Sequence, residues 1–249
     1  EEVVFRGPGA LGATDVAQLL WAMGSLQYRP SLELMRVLLA AVEACMRDFK
    51  PEELVNVLWG ISVVEARQVP SRLLKMAAKH ALDKAGSLSP QQLSNFLLAY
   101  AKLTAQPSST LLRSFEARMR EILPKFNGQD TATALHAFSR LHHDLATDVL
   151  QGVEVFAVHN LQLLTTEEVT KIMCALARMG YVPTPELLQQ VSHRLENDNT
   201  FTQRELDALE ESLPILTDLC ESEQEDGSYF TVPQFPLHKE SVVVGEDLT

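Results

Sequence analysis

The side chains of this chain that could do covalent or metal chemistry are scattered. Of the seven histidines, only His136, His142 and His143 fall close together. A metal centre wants two ligands at i and i+4 on one helix face and a third nearby. The residue four after His136 is Arg140, so the pattern fails. Cys45, Cys174 and Cys220 are odd in number and lack CxxC spacing, which argues against a disulfide framework and suits a reducing compartment. Cys174 lies within an apolar helical pattern, where a thiol is packing material rather than a nucleophile. No GxSxG turn and no glycine-rich phosphate loop is present. The paired carboxylates Glu52-Glu53 and Glu167-Glu168 sit in the first turns of predicted helices, where they complement the positive end of the helix dipole. The expectation is a chain without catalysis, metal or cofactor.

The chemistry that remains is recognition. Gln18, Asn56, Asn95, Thr133 and Lys171 are polar, differ in identity, and recur at intervals of 38, 39, 38 and 38 residues. One such side chain per structural unit, presented on a shared face, reads one base of single-stranded RNA each. Gln and Asn suit that task because each carries a donor and an acceptor. The competing reading is that these residues brace neighbouring helices, as an asparagine ladder does. Exposure separates the two, since a reader must face outward and a brace inward. Lys102, Arg140 and Arg178 form a second column at spacings of 38 and 38, which would track a phosphate backbone. The first two units have Ser25 and Val63 there, so the cationic row is confined to the later units.

These columns presuppose a repeat. VAQLLWAMGSL from Val16, LVNVLWGISVV from Leu54, LSNFLLAYAKL from Leu93, TATALHAFSRL from Thr131 and VTKIMCALARM from Val169 are copies of one pattern, anchored on Leu20, Leu58, Leu97, Leu135 and Met173. A constant period of this size over five copies is the signature of a repeat architecture. It holds two helices of about 15 residues and two turns. Ser89-Pro90-Gln91-Gln92 and Thr165-Thr166-Glu167-Glu168 read as capped starts of first helices, and Lys50-Pro51-Glu52-Glu53 keeps the proline and the acid. Pro30-Ser31, Pro70-Ser71, Pro107-Ser108 and Pro183-Thr184 mark the starts of second helices, with Ala146-Thr147 as a degenerate copy. The predicted fold is all-α: a right-handed α-solenoid of about five helical hairpins. One hairpin cannot cover its own apolar face, and stacking supplies the shared core. Trp21 and Trp59, beside the anchors, are expected inside it, where replacement by Ala costs about 3–5 kcal/mol.

The net charge of −12 is unevenly placed. Residues from Glu196 onward hold 14 acidic and 2 basic side chains, so residues 1–195 carry 19 of each sign. A neutral body does not repel phosphate. No apolar run approaches the roughly 18 residues of a membrane span, and a soluble body is expected. The predicted division is an N-terminal extension over 1–12, the solenoid over 13–219 and an acidic tail over 220–249. Phe201 to Leu219 reads as a degenerate terminal cap, with Glu210 and Glu211 on a polar outer face and Pro214 as a candidate early break. The tail is disordered, folded back on the solenoid or laid along a partner; the last is the favoured reading, with Tyr229, Phe230, Phe235 and Leu237 as anchors. The chain begins Glu1-Glu2-Val3 without Met, which fits removal of an organelle-targeting segment.

The run LVNVLWGISVV after Lys50-Pro51-Glu52, the LLWAMGSL of the first copy and the period of 38 resemble the octotricopeptide repeats of algal organelles. They are similar as well to the heptatricopeptide repeats of apicomplexan proteins and to FAST-kinase-like mitochondrial proteins. The resemblance covers residues 11–219. The Pro-Pro-Pro-Glu-Trp element of the algal repeats is absent, and Pro183-Thr184-Pro185-Glu186-Leu187 is its nearest counterpart. The resemblance implies an α-solenoid of the mitochondrial matrix or chloroplast stroma that binds a specific RNA and promotes its processing, stability or translation. An architectural role in an organellar ribosome, contacting rRNA and protein subunits, is the alternative it implies. Many members end in a RAP domain of nuclease-like fold, and the residues after Leu219 are too few for one, so no cleavage activity is expected.

Overall fold

The computed structural model describes residues 11–64 and 69–222, and among them it holds eleven α-helices, two 3₁₀ turns and no strand. The helices are α1 (Ala13–Ser25), α2 (Leu32–Ala44), α3 (Pro51–Val63), α4 (Ser71–Lys84), α5 (Pro90–Lys102), α6 (Ser109–Ile122), α7 (Gly128–Arg140), α8 (Thr147–Asn160), α9 (Thr166–Arg178), α10 (Pro185–Asn197) and α11 (Gln203–Ser222). Five hairpins followed by one further helix match the five sequence copies and their degenerate cap. Two compact units divide between Val153 and Glu154. In the first, α1, α3, α5 and α7 pack side by side in chain order, and α2, α4 and α6 form a second row. In the second, α9 packs against α11. Each unit is a stack of helical hairpins, the construction of an α-solenoid. All five anchors are buried to within 1% of full exclusion from solvent.

The first helices approach closely because their contact faces lack side chains. A β-carbon built on Gly60 of α3 would overlap the Leu20 carbonyl oxygen of α1 and stand 3.1 Å from the Trp21 nitrogen. One built on Gly24 would lie 2.9 Å from Cζ3 of Trp59. The same two registers hold Ala22, Ala99, Ala137 and Ala175, and Ser62, Ala101, Ser139 and Ala177, in the other copies. Small residues at these places let neighbouring helices meet with backbone near backbone.

Helix starts follow the capping signals. Ser31, Ser89, Ser108, Thr165 and Thr184 each accept a backbone N–H through the side chain at the start of α2, α5, α6, α9 and α10. Gln92 and Glu168 complete reciprocal capping boxes with Ser89 and Thr165. The start of α4 departs from expectation. Pro70 occupies the cap position and Ser71 the first helical turn, so this hydroxyl makes no cap. The preceding loop is one residue longer than its counterparts, which shifts Ser71 past the cap register.

Two caps come from the preceding hairpin. Ala146 has no side-chain acceptor for α8, and the Glu116 carboxylate of α6 takes its N–H at 2.8 Å while accepting His143 Nε2 at 2.8 Å. In the second unit Glu154 takes the Thr184 N–H at 2.5 Å, the Thr184 hydroxyl at 2.6 Å and the Tyr181 hydroxyl at 2.6 Å. His143 is thus half-buried and spans two hairpins.

Four first helices, α1, α5, α7 and α9, end alike. Gln27, Thr104 and His142 take φ of 51° and Gly180 takes 62°, and the next residue bonds back to the carbonyl of Met23, Tyr100, Phe138 or Leu176. This is the left-handed closure that usually selects glycine. Its repetition aims α2, α6, α8 and α10 by the same turn. At the far end α11 runs through Pro214 without a break for 20 residues. Leu209 and Leu213 before that proline and Leu216 after it are fully buried, and their packing outweighs the one backbone bond it removes.

Gly60→Ala should lower unfolding free energy by about 1–3 kcal/mol, because backbone rather than a flexible side chain meets the new methyl; urea denaturation reads it. Glu53 provides a pH test. Its carboxylate accepts the Lys50 N–H at 2.9 Å and the Thr14 hydroxyl at 2.7 Å, and these bonds, the backbone one first, hold its pKa below the ordinary value. Its contribution is therefore complete above the unfolded pKa of about 4.3 and is lost as pH falls through the lower folded value. The stability advantage of the native chain over Glu53→Gln should shrink between pH 5 and 3 in acid–urea titrations.

Candidate functional site

Packing leaves the first helices a shared open stripe at positions i, i+4, i+7 and i+11. On α1 it is Thr14, Gln18, Trp21 and Ser25; on α3, Glu52, Asn56, Trp59 and Val63; on α5, Gln91, Asn95, Leu98 and Lys102; on α7, Gln129, Thr133, His136 and Arg140. These four helices are packed in order, so the stripes of the first unit lie side by side. In the second unit α9 carries Glu167, Lys171, Cys174 and Arg178 at the same registers.

The polar column falls on this stripe. Gln18 is exposed, and Asn56 and Asn95 are half-buried. Among the described residues their side-chain amides donate to and accept from no other group, so they brace nothing. Thr133 is 8% exposed and presents little beyond its edge. Lys171 is tied to Glu167 one turn earlier at 2.6 Å. The structure thus brings Gln18, Asn56, Asn95 and Thr133 onto four adjacent helices, with the first three offering open hydrogen-bonding groups.

The cations are exposed as well. Lys102 and Arg140 close the stripes of the neighbouring helices α5 and α7, and Arg178 holds the equivalent place on α9. No carboxylate among the described residues forms an ion pair with them, in contrast to Arg72, Arg118, Arg120 and Arg194. The four stripe positions of α5 contain no acid, and neither do those of α7. A phosphate approaching that pair of helices therefore meets cations and amides and no opposing carboxylate on the stripe.

Trp21 and Trp59 correct the expectation that both are core. Trp21 is 49% exposed and Trp59 is half-buried. Their place directly after the anchors decides this: Leu20 and Leu58 face the stack, and the next residue along a helix turns by about 100° toward the stripe. The signal was in the spacing. Trp21 lies three residues after Gln18 and four before Ser25, both polar.

Among the described residues no group of three His, Cys, Asp or Glu side chains is placed to hold a metal ion, and no helix is long and apolar enough to cross a membrane. The Cys174 thiol is buried and donates to the Ala208 carbonyl at 3.4 Å. Burial and the neighbouring Asp48 and Asp15 charges push the Cys45 thiol up, away from the reactive thiolate. Tyr229, Phe230, Phe235 and Leu237, the anchors expected in the tail, lie outside the described residues.

The family described as Tbc2 translation factor, N-terminal domain, matches residues 60–217, more than half of the chain. The family described as FAST kinase-like protein, subdomain 1, matches residues 16–77, which covers the first hairpin and most of the second. No curated protein matches the chain.

Replacing Trp21 by Ala should cost less than about 1.5 kcal/mol of unfolding free energy, since half of its surface is already in water. A loss of 3–5 kcal/mol in chemical denaturation, the range for a core tryptophan, would place the ring inside the stack instead.

Proposed function

The chain belongs to the family of the Tbc2 translation factor N-terminal domain, and from that premise we propose that it is a non-catalytic, organellar RNA-binding protein acting in RNA metabolism or translation. The observation that carries this reading is the paired stripe of α5 and α7. Asn95 offers an unsatisfied amide, Lys102 and Arg140 offer exposed cations, and no acid lies among the eight stripe positions. Amides at base edges and cations at phosphates divide the work of specificity and grip. The translation factor named by one family match and the FAST kinase-like name of the other support a role beside RNA. Within this proposal the repeats are octotricopeptide-like, the RNA is single-stranded or ribosomal, and the site of action is the mitochondrial matrix or the chloroplast stroma.

The proposed readers are Gln18, Asn56, Asn95, Thr133 and Lys171, and the proposed phosphate contacts are Lys102, Arg140 and Arg178. Lys171 takes part only by releasing Glu167, so its share is the smallest. The architectural alternative, a subunit gripping proteins through its tail, depends on residues after Ser222 that are outside the described ones.

Filter binding of a random-sequence single-stranded RNA pool across a salt series tests this directly. Affinity should fall as salt rises, and the K102A/R140A/R178A variant should flatten the log–log slope by about 2, which is three contacts at roughly 0.7 each. An absence of RNA affinity at low salt would overturn the proposal.

A further inference from the structure

The stripe changes character along the stack. In α5 and α7 it ends in Lys102 and Arg140, whereas in α1 and α3 that register holds Ser25 and Val63. One register earlier the order is reversed: α1 and α3 present Trp21 and Trp59 where α5 and α7 present Leu98 and His136. Indole surface stands in the two helices whose stripes lack a cation. Each indole follows an amide, Gln18 or Asn56, by three residues, so ring and amide share one face of one turn. Gly24 makes room for the second ring, whose Cζ3 and Cε3 atoms rest over the bare backbone of α1.

Resting on the RNA-binding reading above, we infer that Trp21 and Trp59 form a stacking platform for two unpaired nucleobases, with Gln18 and Asn56 addressing the base edges. An exposed indole offers a flat π-face that accepts any base. Amides beside it, open at both donor and acceptor, add discrimination that a purely apolar patch would lack. Neighbouring helix axes lie about 8–10 Å apart, too far for the two bases to stack on one another. Each base is therefore taken singly, with the strand splayed between helices. Single strands allow this and duplexes do not. With no cation on these two stripes, the grip here comes from the bases and not from the phosphates.

The chain contains two tryptophans, so its indole emission reports this platform and nothing else. The intact chain is titrated with a random single-stranded RNA 20-mer and with an abasic strand of the same length and charge. The expected result is quenching by the RNA, binding of the abasic strand weaker by about tenfold or more, and a similar loss for W21A and for W59A. The salt slope should stay unchanged in both variants, and W21F and W59F should retain most of the affinity. The quenching and abasic arms use the native chain, so an unfolded variant does not decide the matter. RNA binding with unaltered emission and equal affinity for the abasic strand overturns the platform and leaves the RNA-binding reading intact. Quenching by duplex RNA as strong as by single strands also overturns it. No RNA binding at all removes the underlying reading and the platform with it.

Discussion

Backbone contact between first helices is the constraint from which the rest of this architecture follows. Gly60 sits where a single methyl would strike the Leu20 carbonyl, and alanine, serine or glycine holds the same two registers in every copy. Close approach has a cost, since small side chains bury little apolar area. The compensation comes from the large residues flanking them. Phe96, Tyr100, Phe115 and Phe138 are almost wholly excluded from water, and Phe96 packs against both Tyr100 and Phe115 at centroid separations of 4.8 and 5.1 Å. With α3 and α5 each flanked by two first helices, only one narrow stripe stays open on them, and a ligand of this row is recognised there by four positions per helix.

The second row is held by a different device. Its helices rely on charged caps passed from one hairpin to the next, Glu116 to α8 and Glu154 to α10. Each carboxylate is more than nine-tenths buried and is satisfied by backbone and side-chain donors together. Burying an acid is favourable only when its acceptors are filled, so these contacts fix the spacing between second helices to within a hydrogen bond. The registers of Glu116 and His143 hold Ala78 and Ala105 one hairpin earlier. There the space between α4 and the turn that joins α5 to α6 stays open as a cleft of about 690 Å³ beside Tyr100, Lys75 and Gln106. The cleft is the trace of a missing brace.

How far this could be foreseen depended on the range of each interaction. Ser89 with Gln92 and Thr165 with Glu168 act within one turn, so their spelling alone announces a helix start. The hairpin count and the buried anchors were equally legible, because a period of 38 repeats the same local pattern five times. Contacts spanning about 30 residues were not. Glu154 looks like any helical acid until Tyr181 and Thr184 arrive beside it from the following hairpin. Local propensity makes Pro214 a candidate break, whereas three buried leucines around it carry the helix onward. For Trp21 the error lay in treating residue size as a sign of burial. Its spacing from Gln18 and Ser25 had already assigned it to the stripe.

Charge then limits what such a stripe can do by electrostatics alone. Over residues 1–195 the chain is neutral, and the stripe of the first unit adds only Lys102 and Arg140 against Glu52. Two or three phosphate contacts give an affinity that physiological salt largely erases. A neutral repeat protein that holds a single strand therefore needs a component that salt does not weaken. Apolar and π surface supplies such a component, and on this stack it stands in α1 and α3, where cations are missing. On the proposed reading the two halves of the first unit are thus complementary. The cationic helices draw the strand in and set its course, and the indole-bearing helices keep hold of its bases once water and counterions have gone.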